Sequence, residues 1–276
     1  MPRLKKVEDL PDVQNYTDNI IKKRIKKVGI RKVMLPCKVE RKDGSYNNCV
    51  TNISVYSDLN EHTKGVNMSR YRIILEDAFV NKDLNLRRAI RDTLGEIATK
   101  LEGRDAYLKV SFDYFLTRYA PVTRTPSLQN YRCTLEGRLV NGEQKFYMTV
   151  KVPYTSLCPC SKEISDYNAH NQRSYGEVTV ELIEGKTCWI EDIIELVEKS
   201  GAAPIINILK RPDEAYQTEL MYENPVFVED MARKISLLLD EWLDNTIKDY
   251  VFVTNHEESI HTHNAVSVIS AGRNLT

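Results

Sequence analysis

The run Leu108-Lys109-Val110-Ser111-Phe112-Asp113-Tyr114-Phe115-Leu116 puts Leu108, Val110, Phe112, Tyr114 and Leu116 at every second position, with Lys109, Ser111 and Asp113 between them. Successive side chains of a strand point to opposite faces, so this period predicts a strand with one apolar and one wetted face. The same period recurs at Tyr131, Cys133, Leu135 and Leu139, at Phe146, Met148, Val150 and Val152, and at Val178, Val180 and Leu182 between Glu177, Thr179 and Glu181. Gly142, between Val140 and Phe146, predicts a hairpin joining the first two of these. Strands buried on both faces would read as unbroken apolar runs, so clean alternation with charged outer positions predicts antiparallel sheet.

Helical periods lie between the strand groups. Leu86, Ala89, Ile90, Leu94, Ile97 and Leu101 mark one helix face, and Phe227, Met231, Ile235, Leu238 and Trp242 mark another. The second helix is expected to start with Asn224 as N-cap and Pro225 in the first helical position, with Glu229 and Asp230 near the positive end of the dipole and Glu229 nearly opposite the apolar stripe. A last pair of strands is expected around 248–252 and 265–269. Runs of strands and helices segregated in this way predict an α+β fold, since alternating βαβ units would interleave them. The first 28 residues, with the basic cluster Lys22, Lys23, Arg24, Lys26 and Lys27, read as an arm before the folded body.

At 276 residues the chain is long enough to bury a sizeable core as one body or two small domains. Lys plus Arg and Asp plus Glu both number 39, so no global basic excess points to nucleic acid, and an anionic ligand must be met locally. No apolar run approaches the roughly 20 residues that span a bilayer, and charges from Arg3 to Asp9 replace the apolar stretch of a signal peptide. A cytoplasmic protein is expected, with no membrane or nucleic-acid partner. In that compartment the cysteines at 37, 49, 133, 158, 160 and 188 are expected to be reduced, as buried thiols or metal ligands.

Chemistry concentrates in Leu157-Cys158-Pro159-Cys160-Ser161-Lys162-Glu163-Ile164-Ser165, followed by Ala169-His170-Asn171-Gln172-Arg173. Thiolate and neutral imidazole are good ligands for zinc and other first-row divalent metals, and a catalytic site uses about three protein ligands plus an open position. Cys-x-Cys with a histidine ten residues on matches no standard zinc-finger spacing. By residue type alone, reduced core thiols with an ordinarily hydrogen-bonded histidine, a redox pair and a metal site all remain open.

The string CPCSKEIS followed by AHNQR resembles the signature of the type IB GTP cyclohydrolases. The resemblance extends to Leu10-Pro11-Asp12-Val13-Gln14, Met68-Ser69-Arg70, Lys210-Arg211-Pro212-Asp213-Glu214, Glu223-Asn224-Pro225 with Phe227-Val228-Glu229-Asp230, and Glu258-Ser259-Ile260-His261, covering most of the chain in order. One departure is Asn67, where many members carry histidine.

The resemblance implies a tunnelling fold: tandem units, here a body of 29–276 in halves of about 29–125 and 126–276, whose antiparallel sheets backed by helices close a barrel by oligomerisation, as a homotetramer. It implies that Cys158, His170 and Glu214 ligate a divalent metal (zinc, manganese or iron), with Cys160 a further ligand or a catalytic thiol beside Cys158. Glu229 would anchor the purine, a task suited to an acceptor with two oxygens. His261 would move protons near neutral pH, and His263, two residues on, would point to the same side. The triphosphate needs cations, for which Arg70, Lys162, Arg173, Lys210 and Arg211 are available. The reaction implied is hydrolytic opening of the GTP purine ring to dihydroneopterin triphosphate and formate, the first step of pterin and tetrahydrofolate synthesis. Rival readings are a related pterin or deazaguanine enzyme with a covalent cysteine, and a non-catalytic oligomer stapled by metal.

Overall fold

The computed structural model describes residues 11, 13–16, 21–80, 82–273 and 275. Most of the N-terminal arm, with Leu10 and Asp12 of the Leu10–Gln14 stretch, lies outside them.

The alternating segments become strands β1 (Ile25–Glu40), β2 (Tyr46–Leu59), β4 (Ala106–Tyr119), β5 (Pro126–Val140), β6 (Glu143–Leu157), β7 (Asn171–Leu182), β9 (Ile247–His256) and β10 (Ala265–Ser270), with two short pieces, β3 (Asp83–Leu84) and β8 (Ala203–Pro204). All join one sheet in the order β10-β9-β7-β6-β5-β4-β2-β1-β3, with β8 added on β6. Every pairing is antiparallel except β1 with β3. The β5–β6 hairpin turns on Asn141 (φ 51°) and Gly142 (φ 83°). Two successive positive φ angles suit the right-handed strand twist, and this dipeptide adopts them readily.

Helices α1 (Met68–Phe79), α2 (Leu86–Lys100), α4 (Ile190–Ser200) and α6 (Val228–Asp240) pack on the sheet, the first two on β1, β4 and β5 and the last two on β6, β9 and β10. The core lies between. Val110, Phe112, Val150, Val178 and Phe252 from the sheet meet Ile90, Leu94, Ile97, Ile193, Val197 and Ile235 from the helices, all fully buried. Each such side chain contributes roughly 1.5–3 kcal/mol through burial. Gly176 lets α4 approach: a Cβ there would stand 2.8 Å from Val197 Cγ1 and 2.9 Å from Phe252 Cε2. The expected α+β architecture, the helix over the Leu86–Leu101 stripe and the final strand pair are all present.

One boundary differs from expectation. Asn224 closes a preceding helix, α5 (Arg211–Glu223), with its N–H bonded to the carbonyls of Leu220 and Met221, and α6 begins three residues later with Phe227 as N-cap. Pro225 and Val226 form an extended connector, because Val226 donates to the Leu157 carbonyl at 3.0 Å. The buried stripe of α6 is accordingly Met231, Ala232, Ile235 and Leu239, while Phe227 and Leu238 are exposed. At about 100° per residue this sets Glu229 on the flank of the stripe instead of opposite it.

Candidate active site at the ends of three strands

The inward face of the sheet changes character along β6, β7 and β9. At mid-strand the cross-strand neighbours are Val150, Val178 and Phe252. Two positions nearer the site they are Val152, Gly176 and Thr254, then Tyr154, Ser174 and His256, then Ser156 and Gln172. All stay buried, so their polar atoms need partners. The Tyr154 hydroxyl meets Thr254 Oγ1 and lies 3.0 Å from His256 Nε2. Ser156 and Ser174 hydroxyls lie 2.9 Å apart, and Gln172 Nε2 donates to Ser156 Oγ at 2.8 Å. Burial pushes the His256 imidazole down to about 4, and the charge of Glu229 nearby opposes this in part.

Past the last ladder pair, Leu157 with Asn171, the chain presents Cys158 and His170. The Cys158 N–H donates to the His170 carbonyl at 3.1 Å. Cys158 is also the N-cap of the short helix α3 (Pro159–Ile164), where its sulfur accepts from the Ser161 N–H at 3.4 Å. Pro159 suits the first helical position because its missing N–H would have no intrahelical partner. Cys160 is exposed on α3. The His170 ring is held by Gln172, whose Oε1 lies 3.0 Å from Nδ1, and Glu258 Oε2 stands 3.8 Å from the same nitrogen.

Other expected residues gather around this end. Arg173 is exposed on β7 next to the site, and its carbonyl accepts from Glu257 N at 3.0 Å. His261 donates its backbone N–H to the Glu258 carbonyl, and its exposed ring stacks on His263 at 4.9 Å between centroids. Glu229 sits exposed in the first turn of α6, close enough to influence His256. Lys162 reaches the end of α5, donating to the Tyr222 carbonyl at 2.7 Å with its ammonium 4.1 Å from the centre of that ring.

Three expected residues stand elsewhere. Arg70 lies on α1, its guanidinium toward the Lys100 carbonyl. Lys210 and Glu214 open α5, and both are exposed. The part of α5 that touches the cysteine loop is its C-terminal end, and Tyr222 is about 12 Å along the axis from Glu214 at 1.5 Å per residue. Between Lys210 and Glu214, Asp213 is fully buried. It accepts from the backbone of Val122, Thr123 and Lys210 and from the Thr123 hydroxyl. Burial alone would raise its titration, but these donors hold the carboxyl well below the usual carboxylate range.

The donor chemistry of Cys158 and His170, one thiol and one imidazole, fits a first-row divalent metal. Among the described residues, no group of three or more His, Cys, Asp and Glu side chains is close enough to hold a metal ion, so the chain by itself does not assemble the three expected ligands, although Cys158 and His170 are backbone neighbours. The remaining cysteines are free thiols, buried or half-buried. Burial raises all four, Cys49 and Cys188 to about 12.

Gln172, Ser156, Ser174 and His256 were not singled out from the sequence. Their signal is present there: the alternating inward positions that are apolar in mid-strand turn polar on three strands at once.

The sequence profile described as type I GTP cyclohydrolase folE2 matches residues 10–267. The chain belongs to this family. The GTP cyclohydrolase FolE2 of Nitrosococcus oceani is 41% identical over 245 residues, 89% of each chain. That of Thermosipho africanus is 40% identical over 90% of this chain and 93% of its own, and that of Azoarcus sp. strain BH72 is 39% identical over 96% of both. FolE2 enzymes are hydrolases acting on GTP. Among solved structures, uricase from Arthrobacter globiformis aligns with a TM-score of 0.53 at 9% identity, over 94% of this chain and 96% of its own. At that identity the FolE2 chain shares an architecture with uricase and nothing more. No helix among the described residues is long and apolar enough to cross a membrane.

Proposed function

We infer that this FolE2-family chain is a GTP cyclohydrolase of folate biosynthesis and that its reaction runs at the ends of β6, β7 and β9. Opening the guanine ring hydrolytically yields formate and 7,8-dihydroneopterin triphosphate. The observation that carries the assignment of the site is the juxtaposition of Cys158 and His170, a thiol and an imidazole one step past the end of the same ladder.

These two residues would hold a divalent metal (zinc, manganese or iron), and Glu214, which stands apart from them at the start of α5, would have to reach it as the third ligand. Such a metal would supply a water acidified enough to be a nucleophile near neutral pH. The remaining work falls to the chain. Glu229 accepts hydrogen bonds from the ring N–H and amino group of guanine and fixes which carbon is presented. His261 and Cys160, both exposed at the mouth of the site, shuttle protons as the ring C–N bonds break and formate leaves. Arg173 and Lys162 stand nearest to meet the triphosphate, while Arg70 and Lys210 would have to reach it from other elements.

Strands, then helices, then strands recur loosely along the chain, as β1-β2, α1-α2 and β4-β5 and again as β6-β7, α4-α5-α6 and β9-β10, with β3, α3 and β8 interspersed and the division falling after β5, not near residue 125. This supports reading the body as tandem tunnelling-fold units preceded by an arm of residues 1–28, the last four of which already belong to β1. Strand β10 ends the sheet with exposed Val266 and Val268. An edge left unpaired among the described residues favours closure by other copies, a homotetramer in this reading. Six free thiols suit a cytoplasmic enzyme.

The test is to incubate metal-free protein with GTP, with and without zinc, manganese or ferrous iron, and to follow formate and a pterin-like absorbance after oxidation. Formate with a pterin product is the expected result. Folded protein with no turnover under any metal would sink the reading.

A further inference from the structure

The buried polar ladder behind His170 constrains that ring in a way the family assignment does not address. The Gln172 amide is held at both ends. Its Nε2 donates to Ser156 Oγ at 2.8 Å, and Ser156 is tied in turn to Ser174 at 2.9 Å. In this orientation the amide oxygen faces His170 Nδ1 at 3.0 Å. An amide oxygen only accepts, so Nδ1 must carry the proton and Nε2 must present its lone pair.

We propose that Gln172 is a positioning residue that locks His170 in the Nδ1–H tautomer and so aims Nε2 at the ligand of the site. The proposal rests on the metal reading above only for the nature of that ligand. Three features of the surroundings make the lock strong. Gln172, Ser156 and Ser174 are all buried, so water does not compete for the amide. The three residues sit on paired strands, Ser156 opposite Gln172 and Tyr154 opposite Ser174, so the register of the sheet sets their spacing. Glu258 Oε2, 3.8 Å from the same nitrogen, is too far for a hydrogen bond but favours a proton there. Partners of this kind behind a metal-bound imidazole raise its basicity and fix its ring, and losing one typically weakens metal binding about 10–100-fold.

The lock can be read without metal and without turnover. In metal-free, 15N-histidine-labelled protein at about pH 8.5, where an ordinary imidazole is neutral, long-range 1H–15N correlations report which ring nitrogen of His170 is protonated. The His170→Asn variant identifies the signal. Wild type should show Nδ1–H alone. Gln172→Leu should release the ring to the other tautomer and weaken cobalt binding, followed by thiolate-to-metal absorbance, by about 10–100-fold. Gln172→Glu, which keeps an acceptor, should restore both readings, and Ser156→Ala should loosen the tautomer partly while Glu258→Gln leaves it in place. If Gln172→Leu does not fold, the Ser156→Ala and Gln172→Glu readings decide. A proton on Nε2 in wild type, or an unchanged tautomer in Gln172→Leu, would overturn the proposal. Wild type that shows Nδ1–H but binds no cobalt would uphold the lock and overturn the metal reading instead.

Discussion

The backbone N–H of Cys158 donates to the carbonyl of His170 at 3.1 Å, one step past the final β6–β7 pair. The sheet register, and not a flexible loop, therefore sets how far apart the backbones of the two residues stand. Cys158→Ala and His170→Ala should each lower bound metal and GTP turnover together. Metal content by elemental analysis beside formate release checks this, and a metal-replete, active His170→Ala protein would remove His170 from the site.

Glu229 is exposed in the first turn of α6, and replacing such a residue changes stability by no more than about 0.5 kcal/mol. Glu229→Ala should keep its melting temperature and its metal, yet lose GTP affinity by at least about 10-fold, the size expected when a charged hydrogen-bond acceptor is removed. Calorimetric titration with GTP would detect this, and undiminished affinity would refute the anchoring role.

The six thiols differ sharply in access. Cys160 is exposed, Cys158 is half-buried, and Cys37, Cys49 and Cys133 are buried in the core. Burial raises these last three, leaving little thiolate to react. Iodoacetamide on the native protein should label Cys160 first and the core thiols only on unfolding, with peptide mass spectrometry as the readout. Fast labelling of Cys133 would contradict the packing described.

His256 is buried with its titration pushed down to about 4, against about 6.5 in an unfolded chain. Between these values the unfolded state binds the proton and the folded state does not, so stability rises with pH across the window. The contribution is fully present above about pH 6.5 and falls away toward pH 4, by up to about 3 kcal/mol. Lowering the pH from 7 to 4 should reduce the urea midpoint more steeply for wild type than for His256→Gln; equal slopes would mean that His256 does not titrate in this range.

How much of this was legible in the sequence depended on whether an element buries an apolar stripe. Strands β4 to β7 and helix α2 alternate or repeat cleanly, because one side of each packs into the core. Helix α5 buries only Asp213 and Gln217, so it carries no apolar period, and its closing Asn224 reads naturally as the opening of the next helix. That error also rotated the assumed stripe of α6 and put Glu229 opposite the core. The cysteine–histidine pair was legible as chemistry, through residue types and through the family resemblance. Its support was not: the roles of Gln172, Ser156 and Ser174 depend on which residues pair across β6 and β7, and a single strand's pattern does not contain that information.

The polar ends of β6, β7 and β9 also bear on how this enzyme can change. Ser156 and Ser174 are fully buried hydroxyls continuing faces that are valine a few positions earlier. Replacing them together with Gln172 by apolar residues would extend the core and remove polar groups that need partners without stranding a buried donor, one of the ordinary routes to a hotter-melting protein. The same replacements would dismantle the scaffold behind His170. Selection for thermal tolerance and selection for turnover therefore pull in opposite directions at these positions, and lineages adapting to heat are expected to gain their stability elsewhere in the sheet.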